Sequence, residues 1–263
     1  MKKFILCADD YGLSQPINEA ILELIQLKRL QAVSCMVTSS NWPQAAQLLK
    51  PFVGKVKIGL HLNLTEGAPL TNLPKFYFGS LIRLLFLSHL RLLQSKKIIK
   101  EFEAQLNRFT KVMGRVPDFI DGHQYIHQFP VIRRALLEVY KRALTNVRPY
   151  IRVPANSFRK VLFDAVKSPK QLLIALTGAF SLRRVLNKLH IPYNKSFSGI
   201  YDFSTDIPYA KLFDQFIEEI DEGGLIVCHP SKPTDKATDK IYQARVREYQ
   251  YLKGGNNINE IVL

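Results

Sequence analysis

Hydrophobic and polar positions along this chain follow two rhythms, and the two alternate. "KKFILCA" (2–8) is a short apolar run and predicts a buried strand. Ser14 then offers a helix N-cap, and Ile17, Ile21, Leu24 and Ile25 recur at helical spacing, which predicts a helix over 15–30. "AVSCMVTS" (32–39) predicts a second strand, followed by a helix near 43–53. In "KIGLHLNLT" (57–65), His61, Asn63 and Thr65 alternate with Leu60, Leu62 and Leu64. Period two therefore sends the three polar side chains to one face. Further strands are expected in "DFIDGHQ" (118–124), "YIRVPA" (150–155) and "GGLIVCHP" (223–230), with a helix from about Val131 to Leu144. Strands alternating with helices predict an α/β protein with a mostly parallel sheet, either open or closed into a barrel.

Two stretches interrupt the alternation, 75–97 and 161–190. Both are strongly apolar with basic punctuation and read as amphipathic helices inserted between strands. Such helices pack on the barrel or a second subunit, or they form a lid or a lipid-touching surface.

Composition narrows the class. A chain of 263 residues with 47% hydrophobic and 22% charged residues matches an ordinary globular protein, read here as one domain over residues 1–263. No run approaches the ~20 apolar residues that span a bilayer. Asp9 and Asp10 cut short the apolar start that would otherwise mimic a signal peptide. The expectation is a cytoplasmic protein, with peripheral contact at the inner membrane face left open. Cys7, Cys35 and Cys228 are odd in number and lie in apolar runs, so they read as buried free thiols.

The net charge of +15 is concentrated rather than spread. Residues 75–115 carry nine Lys/Arg against two Glu, and residues 141–195 carry twelve against Asp164 alone. A local basic surface calls for an anionic partner or a solvated face. Its cations are interleaved with Leu rather than stacking aromatics, and no nucleic-acid-binding motif is present, so lipid contact is favoured over nucleic acid. A homo-oligomer is left open.

The polar chemistry gathers at strand ends. Asp9 and Asp10 end the first strand, His61 lies on the third, Asp121 and His123 follow "DFI", and His229 follows "GGLIVC". Four of the six histidines (His61, His123, His127 and His229) occupy such ends, where parallel α/β folds place their ligands. One Asp and two His make a half-shell for zinc, iron, manganese, cobalt, nickel or magnesium. His123 and His127 are spaced i, i+4, but Gly122 makes a helix there doubtful, so His123 is assigned to the metal and His127 to substrate or a supporting role. Neighbouring residues on an extended strand point apart. One aspartate of the pair can therefore ligate while the other moves a proton. Other readings of the same residues are a phosphoester hydrolase, an iron oxygenase or a basic binding protein.

Four blocks together carry a resemblance: "ADDYGLS…N" (8–18), "IGLHLNLTEGAPL" (58–70), "DGHQYIHQFP" (121–130) and "VCHP" (227–230). In order and spacing they resemble the signature blocks of the YdjC-like carbohydrate deacetylases. The resemblance implies a distorted (β/α) TIM-like barrel of the glycoside hydrolase/deacetylase type and removal of an acetyl group from an N-acetylated sugar or glycolipid. It implies one divalent metal ion, Mg2+ or Zn2+, held by Asp10, His61 and His123. Asp9 would then be the general base, and His229 the general acid or an oxyanion stabiliser. Candidate substrate contacts are Asn63, Tyr125, His127 and Arg152 of the "IRVP" block. Tyr125 stands where the family pattern D-x-H-x-H-x-H has its middle histidine, which bears on substrate contacts rather than on the metal.

Overall fold

The computed structural model describes residues 2–156, 161, 169–204, 206–235 and 239–254. Seven parallel strands form one sheet in the order β5-β4-β3-β2-β1-β7-β6. They are β1 (Phe4–Tyr11), β2 (Ala32–Cys35), β3 (Lys57–Leu62), β4 (Phe119–Gly122), β5 (Tyr150–Ile151), β6 (Phe197–Ser198) and β7 (Gly224–Cys228). The apolar run of β1 lies at the centre, paired with β2 and β7, and its side chains are almost all buried. Parallel pairing requires helical crossovers, and these cover the sheet.

The helices follow their apolar stripes. In α1 (Gln15–Gln26), Ile17, Ile21, Leu24 and Ile25 are buried as expected. The helix stops four residues short of the expected 15–30 span, because Lys28 takes a left-handed conformation (φ 58°). α2 is Trp42–Leu49, and α5 is Pro130–Ala143. The 75–97 stretch is not one inserted helix. It divides into a 3-10 turn (Lys75–Tyr77), a short α3 (Leu81–His89) and the start of α4 (Ser95–Met113). The second stretch forms α6 (Pro169–Ile174), a π-turn (Ala175–Ala179) and α7 (Phe180–Lys188), while residues 162–168 lie outside the described residues. Two further helices, α8 (Tyr209–Glu219) and α9 (Tyr242–Gly254), flank β7 in sequence.

The sheet curls until its two edge segments meet through one backbone hydrogen bond and the side chains of two asparagines. Ile151 N–H donates to Pro192 O (2.9 Å), and Val153 N–H donates to Asn194 Oδ1 (2.7 Å). Asn194 Nδ2 donates back to Val153 O and to Ser196 O, each at 3.0 Å. Phe197 N–H donates to Asn156 Oδ1 (2.8 Å). Amide side chains thus replace a ladder where the strands cannot pair directly. The expected distorted (β/α) barrel is the observed architecture, and the carboxyl ends of all seven strands open on one face.

α4 matters for the site because of two polar residues on its buried face. Glu101 accepts from Leu70 N–H (3.0 Å) and Thr71 N–H (2.9 Å), and Gln105 exchanges hydrogen bonds with Asn63 N–H (3.0 Å) and Asn63 O (2.8 Å). The loop leaving β3 is therefore tied to a helix at both ends. The three cysteines are free and buried.

Candidate metal and acid–base site

Two adjacent aspartates reach one cavity because the strand bulges between them. β1 pairs Ala8 with Val33 but Tyr11 with Cys35, so β1 uses three steps where β2 uses two. The extra residue is absorbed at Asp10, whose φ of 70° is left-handed. Aspartate tolerates that conformation better than most residues, at about 1 kcal/mol. On a regular strand the two carboxylates would point to opposite sides; the bulge turns both into the barrel mouth. Gly12 completes the bend at φ 99°, where a Cβ would sit 2.4 Å from Met36 O. Its N–H donates to Asn18 Oδ1 at 2.6 Å.

Asp10, His61 and His123 converge. Asp10 Oδ1 lies 3.3 Å from His61 Nε2 and 2.9 Å from His123 Nδ1. On its other side His61 Nδ1 lies 2.6 Å from Asp121 Oδ1, which also accepts from Ser34 Oγ at 2.6 Å. A proton on Nδ1 leaves the Nε2 lone pair facing Asp10, an arrangement that a cation between them satisfies. Burial disfavours a charged His61, yet the Asp121 and Asp9 carboxylates outweigh it and push the ring up to about 10. With no ion bound a second proton on Nε2 takes that place, and a bound ion would displace it. The buried charges agree, with Asp9, Asp10 and Asp121 set against Arg152 and Arg245. The donor set suits a divalent ion with N and O ligands and positions left for water and substrate.

A second group, Asp9, His61 and Asp121, also lies within ligating distance. It already holds a cation. Arg152 donates to both oxygens of Asp9 (2.7 and 2.6 Å), and its Nε lies 2.9 Å from Asp121 Oδ2. The guanidinium already neutralises this second group.

His229 follows β7 and closes the far side. Its Nε2 lies 3.9 Å from Asp9 Oδ2 and its Nδ1 4.0 Å from Glu248 Oε1. Its backbone N–H donates to Glu248 Oε2. Burial lowers His229 to about 4, against the pull of Asp10 and Asp9, so the resting imidazole is neutral at pH 7. Burial raises Glu248 to about 7 even though His229 N–H and Tyr201 Oη donate to it.

The remaining expected site residues divide. Tyr125 lines the cavity, in a left-handed conformation (φ 60°) shared with Gln124, so His123 and His127 do not lie on one helical face. Asn63, His127 and Arg152 are fully buried and do not line the cavity. β3 ends at Leu62, so the period-two face stops before Asn63, which turns to hold its own loop. Asn63 Oδ1 accepts from Thr65 N–H (2.9 Å) and Glu66 N–H (3.0 Å). His127 Nε2 donates to Arg152 O (2.7 Å), fixing the strand that carries the guanidinium.

Ser34, Arg245 and Glu248 take part without having been singled out from the sequence. Arg245 donates to Asp10 Oδ2 (2.6 Å) and to Asp239, which leaves Asp10 Oδ1 facing the histidines. Arg245 and Glu248 lie on α9, whose polar residues are mixed over all its faces, so no stripe marks the buried side. Their i, i+3 spacing with opposite charge reads as a solvated pair.

These groups open on a cavity of 1370 Å³. Tyr125, Tyr201 and Phe203 line it together with Leu81, Ile82 and Leu173.

Comparison with known proteins places this geometry in a family. A carbohydrate deacetylase of Danio rerio is 31% identical over 162 residues, covering 58% of this chain and 50% of that one. Carbohydrate deacetylase 2 of Listeria innocua is 36% identical over 138 residues (51% and 54%). A chitooligosaccharide deacetylase of Citrobacter koseri is 33% identical over 130 residues (49% and 51%). The chain spans about half the length of these curated relatives. A crystal structure from Enterococcus faecalis, described in terms of cellobiose-phosphate cleavage, shares the fold with a TM-score of 0.68. It is 20% identical, covering 99% of this chain and 93% of that one. The YdjC-like protein family profile matches residues 3–256, and the chain belongs to that family.

Proposed function

We propose that this protein is a metal-dependent carbohydrate N-deacetylase acting on an N-acetylglucosamine-type oligosaccharide or glycolipid. One observation carries the reading. Asp10, His61 and His123 converge on a single point, while Asp9, gripped by Arg152, faces the same cavity beside His229. The names of the curated relatives agree with it.

Asp10, His61 and His123 would hold the ion, with Asp121 orienting His61 and Arg245 orienting Asp10. A divalent ion there supplies Lewis-acid polarisation of the acetyl group and acidity to a water. Asp9 would take a proton from the attacking water as its oxygen bonds to the acetyl carbon. His229 Nε2 lies 3.9 Å from Asp9 Oδ2, and as that gap tightens around bound substrate its neutral ring would accept the proton from Asp9. His229 then protonates the sugar nitrogen as the C–N bond breaks, giving acetate and a free amine. Tyr125, Tyr201 and Phe203 offer ring faces to the sugar. The buried Arg152, His127 and Asn63 serve by holding Asp9, the β5 backbone and the 63–66 loop.

The test is acetate release from a panel of N-acetylglucosamine oligosaccharides and N-acetylglucosaminyl lipids, with chelator and with added divalent ions. The reading expects ion-dependent acetate from at least one of them. Hydrolysis of a phosphoester panel under the same ions, with no acetate from any sugar, would contradict it.

A further inference from the structure

α3 is apolar on the side that faces solvent. Ile82, Phe86 and Leu90 recur at i, i+4, i+8 and are 68%, 62% and 65% exposed. The helix buries Leu84 and Ser88 on its opposite side. The second segment repeats the pattern, with Leu173 and Leu176 64% and 62% exposed. A surface helix ordinarily turns charged residues outward, and one that is apolar all round is ordinarily covered.

The charges along these two stretches of sequence have one sign. Between Glu66 and Glu101 the sequence has no acidic residue and six cations: Lys75, Arg83, Arg91, Lys96, Lys97 and Lys100. All six are exposed. From Pro169 to Tyr201 there is again no acid, and five Lys/Arg. Exposed large apolar side chains on stretches that carry cations and no acid match an anionic lipid interface, while the acids Glu19, Glu66 and Asp239 line the cavity itself.

Both segments are fixed to the turn that carries His123 and Tyr125. Ser88 Oγ accepts from Val131 N–H (3.1 Å), and the His89 and Phe129 rings lie 5.9 Å apart. Gln128 Nε2 donates to Ile174 O (2.8 Å) and Thr177 Oγ1 (2.6 Å), and so reaches into the π-turn. Gly178 permits that approach, since a Cβ there would lie 2.2 Å from Gln128 O. Leu81, Ile82, Leu173 and Ile174 line the cavity itself, so the apolar surface is continuous with its rim. No helix among the described residues is long and apolar enough to cross a membrane.

We propose that the exposed faces of α3 and of the α6–π-turn segment dock this protein on an anionic lipid bilayer, with the mouth of the cavity turned toward the lipid surface. A second copy of the chain is the weaker occupant, because two such faces would bring like charge together.

The experiment is co-sedimentation of the full chain with vesicles of phosphatidylcholine alone or with 30% phosphatidylglycerol, at 50 and 500 mM NaCl. Binding is expected on the anionic vesicles at low salt, at least about ten-fold above the neutral ones, and weakened at high salt. Phe86→Glu/Leu90→Glu/Leu176→Glu should lower it about ten-fold or more while Leu48→Glu, on α2, leaves it unchanged. Lys96→Glu/Lys97→Glu removes charge without touching the apolar stripe and should weaken it as well. No binding by the wild type, binding as strong as the wild type's by both multiple variants, or a wild-type dimer that the triple variant converts to monomer would overturn the proposal. Vesicle binding is read without turnover, so its failure is separate from failure of the deacetylase reading.

Discussion

Arg152 grips Asp9 through both carboxylate oxygens, at 2.7 and 2.6 Å, from a position with no solvent exposure. Its Nε faces Asp121 Oδ2 at 2.9 Å. One guanidinium therefore aims the proposed base and braces the carboxylate behind His61. A planar fork can do this and an ammonium cannot. Arg152→Lys should keep its bound ion and lower kcat about 10- to 100-fold with KM little changed, since one positioned base contributes about 100- to 10,000-fold in all. Arg152→Met leaves the buried Asp9 carboxylate without its cation and Asp121 with His61 and Ser34 alone, and should cost about 3–5 kcal/mol of stability. Steady-state kinetics with metal analysis, and denaturant unfolding, check the two variants.

In the proposed site Asp121 would act on the ion through His61. Its carboxylate holds the Nδ1 proton at 2.6 Å and so keeps Nε2 free to ligate. Asp121→Asn retains an acceptor but loses the charge, and should weaken divalent-ion affinity about 10- to 100-fold. Calorimetric titration of the chelator-treated variant measures this directly. Unchanged affinity would remove Asp121 from the role.

Glu248 links the site to pH. Burial raises its carboxyl to about 7 in the folded protein, above the ordinary 4.5. A raised carboxyl binds its proton more tightly when folded, so its stabilising contribution is complete below about pH 4.5 and is lost as pH rises to 7. The full span corresponds to about 3 kcal/mol. Glu248→Gln should gain stability relative to wild type between pH 5 and pH 7.5, measured by denaturant unfolding at both. A constant difference would contradict the assignment.

The sequence makes the α/β alternation legible because each strand of the barrel core is a short apolar run and each covering helix carries a stripe. β1, α1 and β7 stand close to where the pattern puts them. α4, α8 and α9 were not singled out, because their buried faces include polar groups or their stripes follow inserted segments. The edge strand β5 falls within the strand expected at 150–155, but β6 is two residues long, too short for a pattern, and the two edges are joined largely by Asn156 and Asn194 rather than by a ladder. At the site, histidines after apolar runs identify His61, His123 and His229. Their supports cannot be found that way. Ser34 looks like any strand residue, Arg245 and Glu248 look like a solvated pair, and Arg152 reads as a substrate contact until its burial is seen. The bulge at Asp10 has no hydrophobic signature either, although it is what brings both aspartates into one cavity.

Removing the proposed ion should affect the fold as well as turnover, since an ion that binds only the folded chain stabilises it. Chelation should lower the melting temperature, and an ion restored at 100 times its dissociation constant should recover about 2.7 kcal/mol. Differential scanning calorimetry with and without the ion is the check.

The division of labour between the adjacent aspartates is the centre of the account. The most direct test measures bound ion and acetate release together on Asp9→Asn, with Asp10→Asn beside it. The account predicts that Asp9→Asn keeps one ion per chain and loses about 100- to 10,000-fold in kcat, whereas Asp10→Asn loses the ion. An Asp9→Asn enzyme that releases acetate at the wild-type rate, or that loses its ion while Asp10→Asn retains it, would contradict the assignment.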